Sequence, residues 1–167
     1  MPQVEVTTSQ DGRSSHGGGT LPQARASRAR LQPPSGEPAP VSVTTSSDET
    51  IALLPLAEET CRRYAIEFPD ESERYGEAGQ AWCLHDNLYL LAWAVDDVDG
   101  TRVMQTELAW LARVLEARAF PLEQLARNLD IAAAVTRDQL TSPLSAKIVR
   151  CLQQAAAYVS SRGTFVD

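Results

Sequence analysis

No stretch of this 167-residue chain approaches the ~18 consecutive apolar residues that a membrane span requires. The N-terminus also carries no apolar run of signal-peptide length. Neither insertion nor secretion is indicated, and a cytoplasmic protein is the expectation. Sustained period-two alternation is missing too, so no segment argues for a strand. Cysteine is scarce and scattered, at Cys61, Cys83 and Cys151, with no C-x-x-C or Cys/His ligand spacing. That excludes the usual structural zinc frameworks and points to reduced thiols packed among apolar neighbours. Nucleophile and phosphate motifs are lacking: there is no G-x-S-x-G, no glycine-rich phosphate loop and no H-E-x-x-H. Lys147 is the sole lysine against 14 arginines, a skew read as codon bias.

Charge is unevenly spread. Residues 1–46 hold Arg13, Arg25, Arg28 and Arg30 against Glu5, Asp11 and Glu37, a balance of +1. The rest of the chain holds 11 basic and 19 acidic side chains. Nucleic-acid binding depends on neutralising phosphates with Lys and Arg, so an acidic body argues against it. The first 46 residues are rich in Gly, Ser, Pro, Thr and Gln, with too few apolar side chains to offset the entropy of ordering. They read as a disordered tail, either solvated or an upstream extension, and residues 47–167 read as a helical bundle domain.

About five helices are expected from periodicity. The first spans roughly Pro55–Glu67, with Leu56, Ile66 and Phe68 as apolar contacts and Pro69 as its stop. The second, roughly 77–97, is entered through Gly76 and Gly79 and closed by VDDVDG as a loop. The third, about 102–118, carries Leu108, Leu111 and Leu115 on one face, with Trp110 and Val114 beside it. A corner at Phe120-Pro121 starts the fourth, where Leu122, Leu125, Leu129 and Ala132 share a face. Ser142-Pro143 is a start signal for the last, in which Leu144, Ile148, Cys151, Ala155 and Val159 recur. An all-α bundle with short, mostly antiparallel connections follows.

The second helix is the most informative. Trp82, Asp86, Tyr89 and Trp93 step by four, three and four along one face, while Leu84, Leu88, Leu91 and Val95 form another. Two such stripes mark a helix covered on more than one side. Its aromatics, together with Trp110, either fill the core or line a pocket for a flat ligand. His85 is the one histidine outside the tail, and Asp86 adjoins it. Imidazole there suits an axial ligand to iron or cobalt, a general base, or a plain structural hydrogen bond. Asp96, Asp97 and Asp99 lack the calcium-loop pattern and read as a solvated loop. Glu71, Glu73 and Glu77 read as an exposed acidic patch.

The order ERYGEAGQAWCLHDNLYLLAWAV, then ELAWLARVLEARAFPLEQLARNLDIAAAV, resembles the helical domain found beside cobalamin-binding domains in bacterial regulatory and corrinoid proteins. The likeness covers about residues 72–136. In that family a helix carrying an acid-Asn pair precedes a W-L-x-x-V-L-x-x-R-x-x-P corner, as Trp110 to Pro121 reads here. The resemblance implies a regulatory helical module that caps or senses a tetrapyrrole, although the D-x-H-x-x-G cobalt-binding motif of the partner domain is absent. The chain is also similar to haem-free globin-like sensor domains of bacterial stress regulators.

Three functions are therefore expected as alternatives. One is a non-enzymatic bacterial regulatory or protein-interaction domain, with a protein partner or a second copy as its target. Another is a sensor of cobalamin or haem that uses Trp82, His85, Tyr89, Trp93 and Trp110. The last is a small enzyme built on His85 and Asp86. No catalytic or metal-ligating residue is assigned.

Overall fold

The computed structural model describes residues 31–167. Five helices form the bundle: α1 (Leu54–Glu67), α2 (Pro69–Asp99), α3 (Met104–Ala117), α4 (Leu122–Gln139) and α5 (Ser145–Arg162). The all-α bundle of five helices read from periodicity is the observed architecture. One small exception stands before it, a hairpin of β1 (Ser42–Thr44) and β2 (Thr50–Ala52), antiparallel with Val43 opposite Ile51. Three-residue strands are too short to show an alternating pattern, so the expectation of no strands missed them.

The expected tail of residues 1–46 divides here. Residues 1–30 lie outside the described residues, while 42–44 belong to the hairpin. Side-chain contacts from its turn hold this hairpin against the helices. Asp99 at the end of α2 accepts from the Ser46 amide (2.9 Å) and hydroxyl (2.6 Å). Glu49 accepts from the Ser142 hydroxyl ahead of α5. Ile51 and Leu53 then reach the core.

The most extensive helix pairing is α4 with α5, and α1 packs on both α2 and α4. Small side chains explain the first pairing. Ala132 and Ala133 of α4 and Ala155 and Ala156 of α5 are buried, which lets the two axes approach. Larger side chains from neighbouring turns fill the rest: Leu129, Leu152, Leu91 and Leu108 have no exposed surface. Each such leucine contributes about 1.5–3 kcal/mol through burial. The C-terminus closes one end, where Phe165 is buried against Tyr158 and its carbonyl accepts from Arg113 Nε (3.1 Å).

Helix α2 is not continuous. Gly76 breaks it at φ 58°, ψ −146°, a conformation open in practice to glycine. The helix expected from residue 77 therefore has a preceding segment, Pro69 to Tyr75, set at an angle to it. Gly79 makes the bend possible, since a Cβ there would collide with Tyr75 Cβ. These two glycines bring Glu71 and Tyr75 over the bundle.

At its other end α2 runs on to Asp99, past the point where VDDVDG was expected to become a loop. Each acid has a partner that offsets its poor placement at a helix C-terminus. Asp96 pairs with Arg102, Asp97 accepts from the Met104 amide (2.8 Å) at the start of α3, and Asp99 holds Ser46. The stop comes from Gly100, at φ 81°.

Candidate functional site

A cavity of about 330 Å³ opens where α1, α2, α3 and α4 meet. Apolar side chains line most of it, chiefly Leu90 from α2, Leu111 and Leu115 from α3, and Leu125 from α4. Its polar floor is a pair of amides. Asn87 Nδ2 donates to Asn128 Oδ1 at 3.1 Å, and Asn128 Nδ2 donates back to Asn87 Oδ1 at 2.8 Å. Both residues are buried. Buried amides are costly unless bonded, and here each satisfies the other.

Beside the amides sit two thiols. Asn87 Nδ2 lies 3.5 Å from both Cys61 Sγ on α1 and Cys83 Sγ on α2. A hydrogen bond to Cys61, and then burial, push the Cys83 thiol far above its ordinary range. That is the reverse of an activated thiolate.

The mouth is polar and aromatic. Tyr64 of α1 donates from its hydroxyl to Gln124 Oε1 of α4 (2.9 Å). Burial chiefly raises its phenol, and the neighbouring Glu71 carboxylate adds to the effect. Burial likewise raises Glu71, against the smaller opposing influences of Tyr64 and Arg74. Glu71 was expected on an exposed patch with Glu73 and Glu77. The bend at Gly76 instead turns Glu71 onto the cavity and leaves the other two in solvent. Arg118 and Phe120 complete the rim from the α3–α4 corner, where Ala119 takes φ 60°.

Leu31 also lines the cavity, and the next residue fixes it there. The Trp82 indole N–H donates to the Gln32 carbonyl (2.5 Å), so the segment ahead of the hairpin lies at the cavity. Nothing in its composition singles it out from the residues before it, and only the tertiary contact reveals its place.

The aromatic residues named from sequence do not converge on this cavity. Trp82 lines it; His85, Tyr89, Trp93 and Trp110 do not. Four of them form a row on α2 instead. Ring centroids are 5.0 Å apart for Trp82–His85, 5.0 Å for His85–Tyr89 and 5.9 Å for Tyr89–Trp93. Trp93 ends this row in the core. Trp110 stands apart on α3 with 41% of its surface exposed. His85 Nδ1 meets Asp86 Oδ1 at 3.2 Å, and Asp86, its neighbour, lines the cavity. The residues that sequence reasoning missed are Asn87 and Asn128, Glu71, Tyr64 and Tyr75. A buried asparagine leaves one signal, a polar residue on an otherwise aliphatic face, and both Asn87 and Asn128 are of that kind.

Among the described residues no group of three or more His, Cys, Asp or Glu side chains is placed to hold a metal ion, and no helix is long and apolar enough to cross a membrane. Comparisons of the chain with family models, curated proteins and solved structures give no match.

Proposed function

We propose that this chain is a non-enzymatic regulatory module that takes a small amphipathic molecule into the cavity among α1–α4. Its occupancy would then be read by a protein partner or a second copy of the chain. The observation that carries this reading is the cavity itself, about 330 Å³ of largely apolar space with the Asn87–Asn128 pair at its floor. A few placed polar groups in an apolar concavity are the ordinary make-up of a small-molecule site, and this volume is at the small end of their range.

The raised Cys83 thiol supports binding over covalent catalysis, since a protonated thiol is a poor nucleophile. Three free cysteines fit a reducing cytoplasm. A tetrapyrrole has less support than a smaller ligand. The volume is small for a macrocycle, and His85 does not line the cavity to serve as its axial ligand.

The test is a fluorescence titration with N-phenyl-1-naphthylamine, an apolar probe that brightens when it leaves water. Wild type should bind it saturably at one to one. Leu111→Trp, which fills the cavity, should lose that binding while retaining a cooperative thermal transition. Equal binding by the filled variant, or none by wild type, would overturn the proposal.

A further inference from the structure

The side chains at the cavity mouth carry a sign. Two carboxylates, Glu71 and Asp86, face it from the two arms of the bent α2, and one guanidinium, Arg118, faces it from the corner after α3. Arg118 is itself engaged in an interaction. Asp86 meets His85 through Oδ1. Aromatic rings occupy the same rim, Tyr75 and Trp82 from α2 and Phe120 opposite them. Beneath this rim the walls are leucine.

We infer that the ligand of this cavity is a cationic amphiphile, an organic ammonium group on an apolar body. This rests on the ligand-binding reading above and names its chemical class. The ammonium sits at the rim between Glu71 and Asp86, beside the rings of Tyr75 and Trp82. The apolar body extends down among Leu90, Leu111 and Leu125.

A cation is favoured over an anion on four physical grounds. Among the described residues that line the cavity two carboxylates stand against one guanidinium, so an anion there meets more like charge than opposite charge. Aromatic rings attract cations through their negative faces, most strongly where water is excluded. Burial also holds the Glu71 carboxyl above its usual range, and its charged form needs more compensation than Tyr64 and Arg74 give it. An ammonium group supplies that compensation, and Glu71 gains a charge-assisted hydrogen bond in return. The acidic body of the chain, −7 overall, adds a long-range field of the same sign.

The experiment compares three probes with one shared body: 4-phenylbutylamine, 4-phenylbutan-1-ol and 4-phenylbutyrate, each titrated calorimetrically into the full chain. The amine should bind roughly tenfold or more tighter than the alcohol, and the carboxylate weakest of the three. Glu71→Gln and Asp86→Asn should each remove most of the amine's advantage and leave the alcohol's affinity unchanged. Using both variants guards against one of them failing to fold, which circular dichroism reports. Equal affinity for amine and alcohol, or a preference for the carboxylate, would overturn the ligand class while leaving the cavity as a binding site. If none of the three binds yet N-phenyl-1-naphthylamine does, the ligand class again falls and the site stands. If that probe fails too, both readings fall together.

Discussion

Asn87 of α2 and Asn128 of α4 exchange two hydrogen bonds, 3.1 and 2.8 Å long, across the floor of the cavity. They lie 41 residues apart in the chain and are 2% and 7% exposed. Neither amide reaches bulk water, so each depends on the other. The pair joins α2 to α4 at the floor of the cavity. A double-mutant cycle should reveal this dependence. Asn87→Leu alone should destabilise the fold by about 1–3 kcal/mol, because Asn128 is left buried without its partner. The double variant Asn87→Leu, Asn128→Leu should cost less than the sum of the two single changes. Urea unfolding of the four proteins checks this; simple additivity would mean that the two amides act independently.

Gly76 offers a second test. Its φ of 58° with ψ of −146° suits glycine, and a Cβ there meets nothing within 4 Å. The cost of Gly76→Ala is therefore one of backbone strain alone, about 1–3 kcal/mol. Straightening α2 would also carry Glu71 and Tyr75 off the cavity, so affinity for 4-phenylbutylamine should drop along with stability. A variant of wild-type stability and wild-type affinity would show that the bend is dispensable.

Glu116 clamps the C-terminus. Its carboxylate accepts from the Thr164 hydroxyl (2.8 Å) and from the Phe165 and Val166 amides (2.6 and 3.0 Å). These bonds, the Phe165 amide foremost, hold its pKa below the ordinary carboxylate value. A group depressed in the folded state adds stability that is complete above its unfolded pKa and disappears as pH falls through the folded one. Wild type should therefore melt higher than Glu116→Gln at neutral pH, with the gap closing in acid. Melting temperatures of both proteins across the acid range measure it, and a gap independent of pH would rule out the charge as the cause.

The thiols give a prediction of opposite sense. Burial pushes Cys151 up to about 12, and Cys83 is raised further still by Cys61 and by burial. Little thiolate then exists at pH 8, and thiolate is the species that alkylates. Iodoacetamide should label both cysteines far more slowly in the native protein than in the urea-unfolded chain, as peptide mass spectrometry can follow. Rapid native labelling of Cys83 would show its thiol to be open and activated.

The sequence by itself determined the helices and much of their packing. The leucine steps at Leu108 and Leu111, and the run from Ile148 to Val159, place buried side chains where the structure has them, because helical periodicity is a local property. It also marked Pro69 and Gly100, whose backbone preferences act through their own residues. Ile66 shows the limit, since it was expected as a contact and is 68% exposed. An apolar residue at the edge of a stripe is buried only if a neighbour covers it, and here none does.

The site was decided by tertiary structure. Nothing local to Trp82, Tyr89, Trp93 and Trp110 says which of them will share a space, and only Trp82 reaches the cavity. Its other essential parts come from distant segments: an asparagine pair across two helices, a carboxylate swung inward by a glycine bend, and the Leu31–Gln32 segment ahead of the hairpin. A cavity is the space that several helices leave when they pack. Its lining depends on their relative placement, which no single segment encodes.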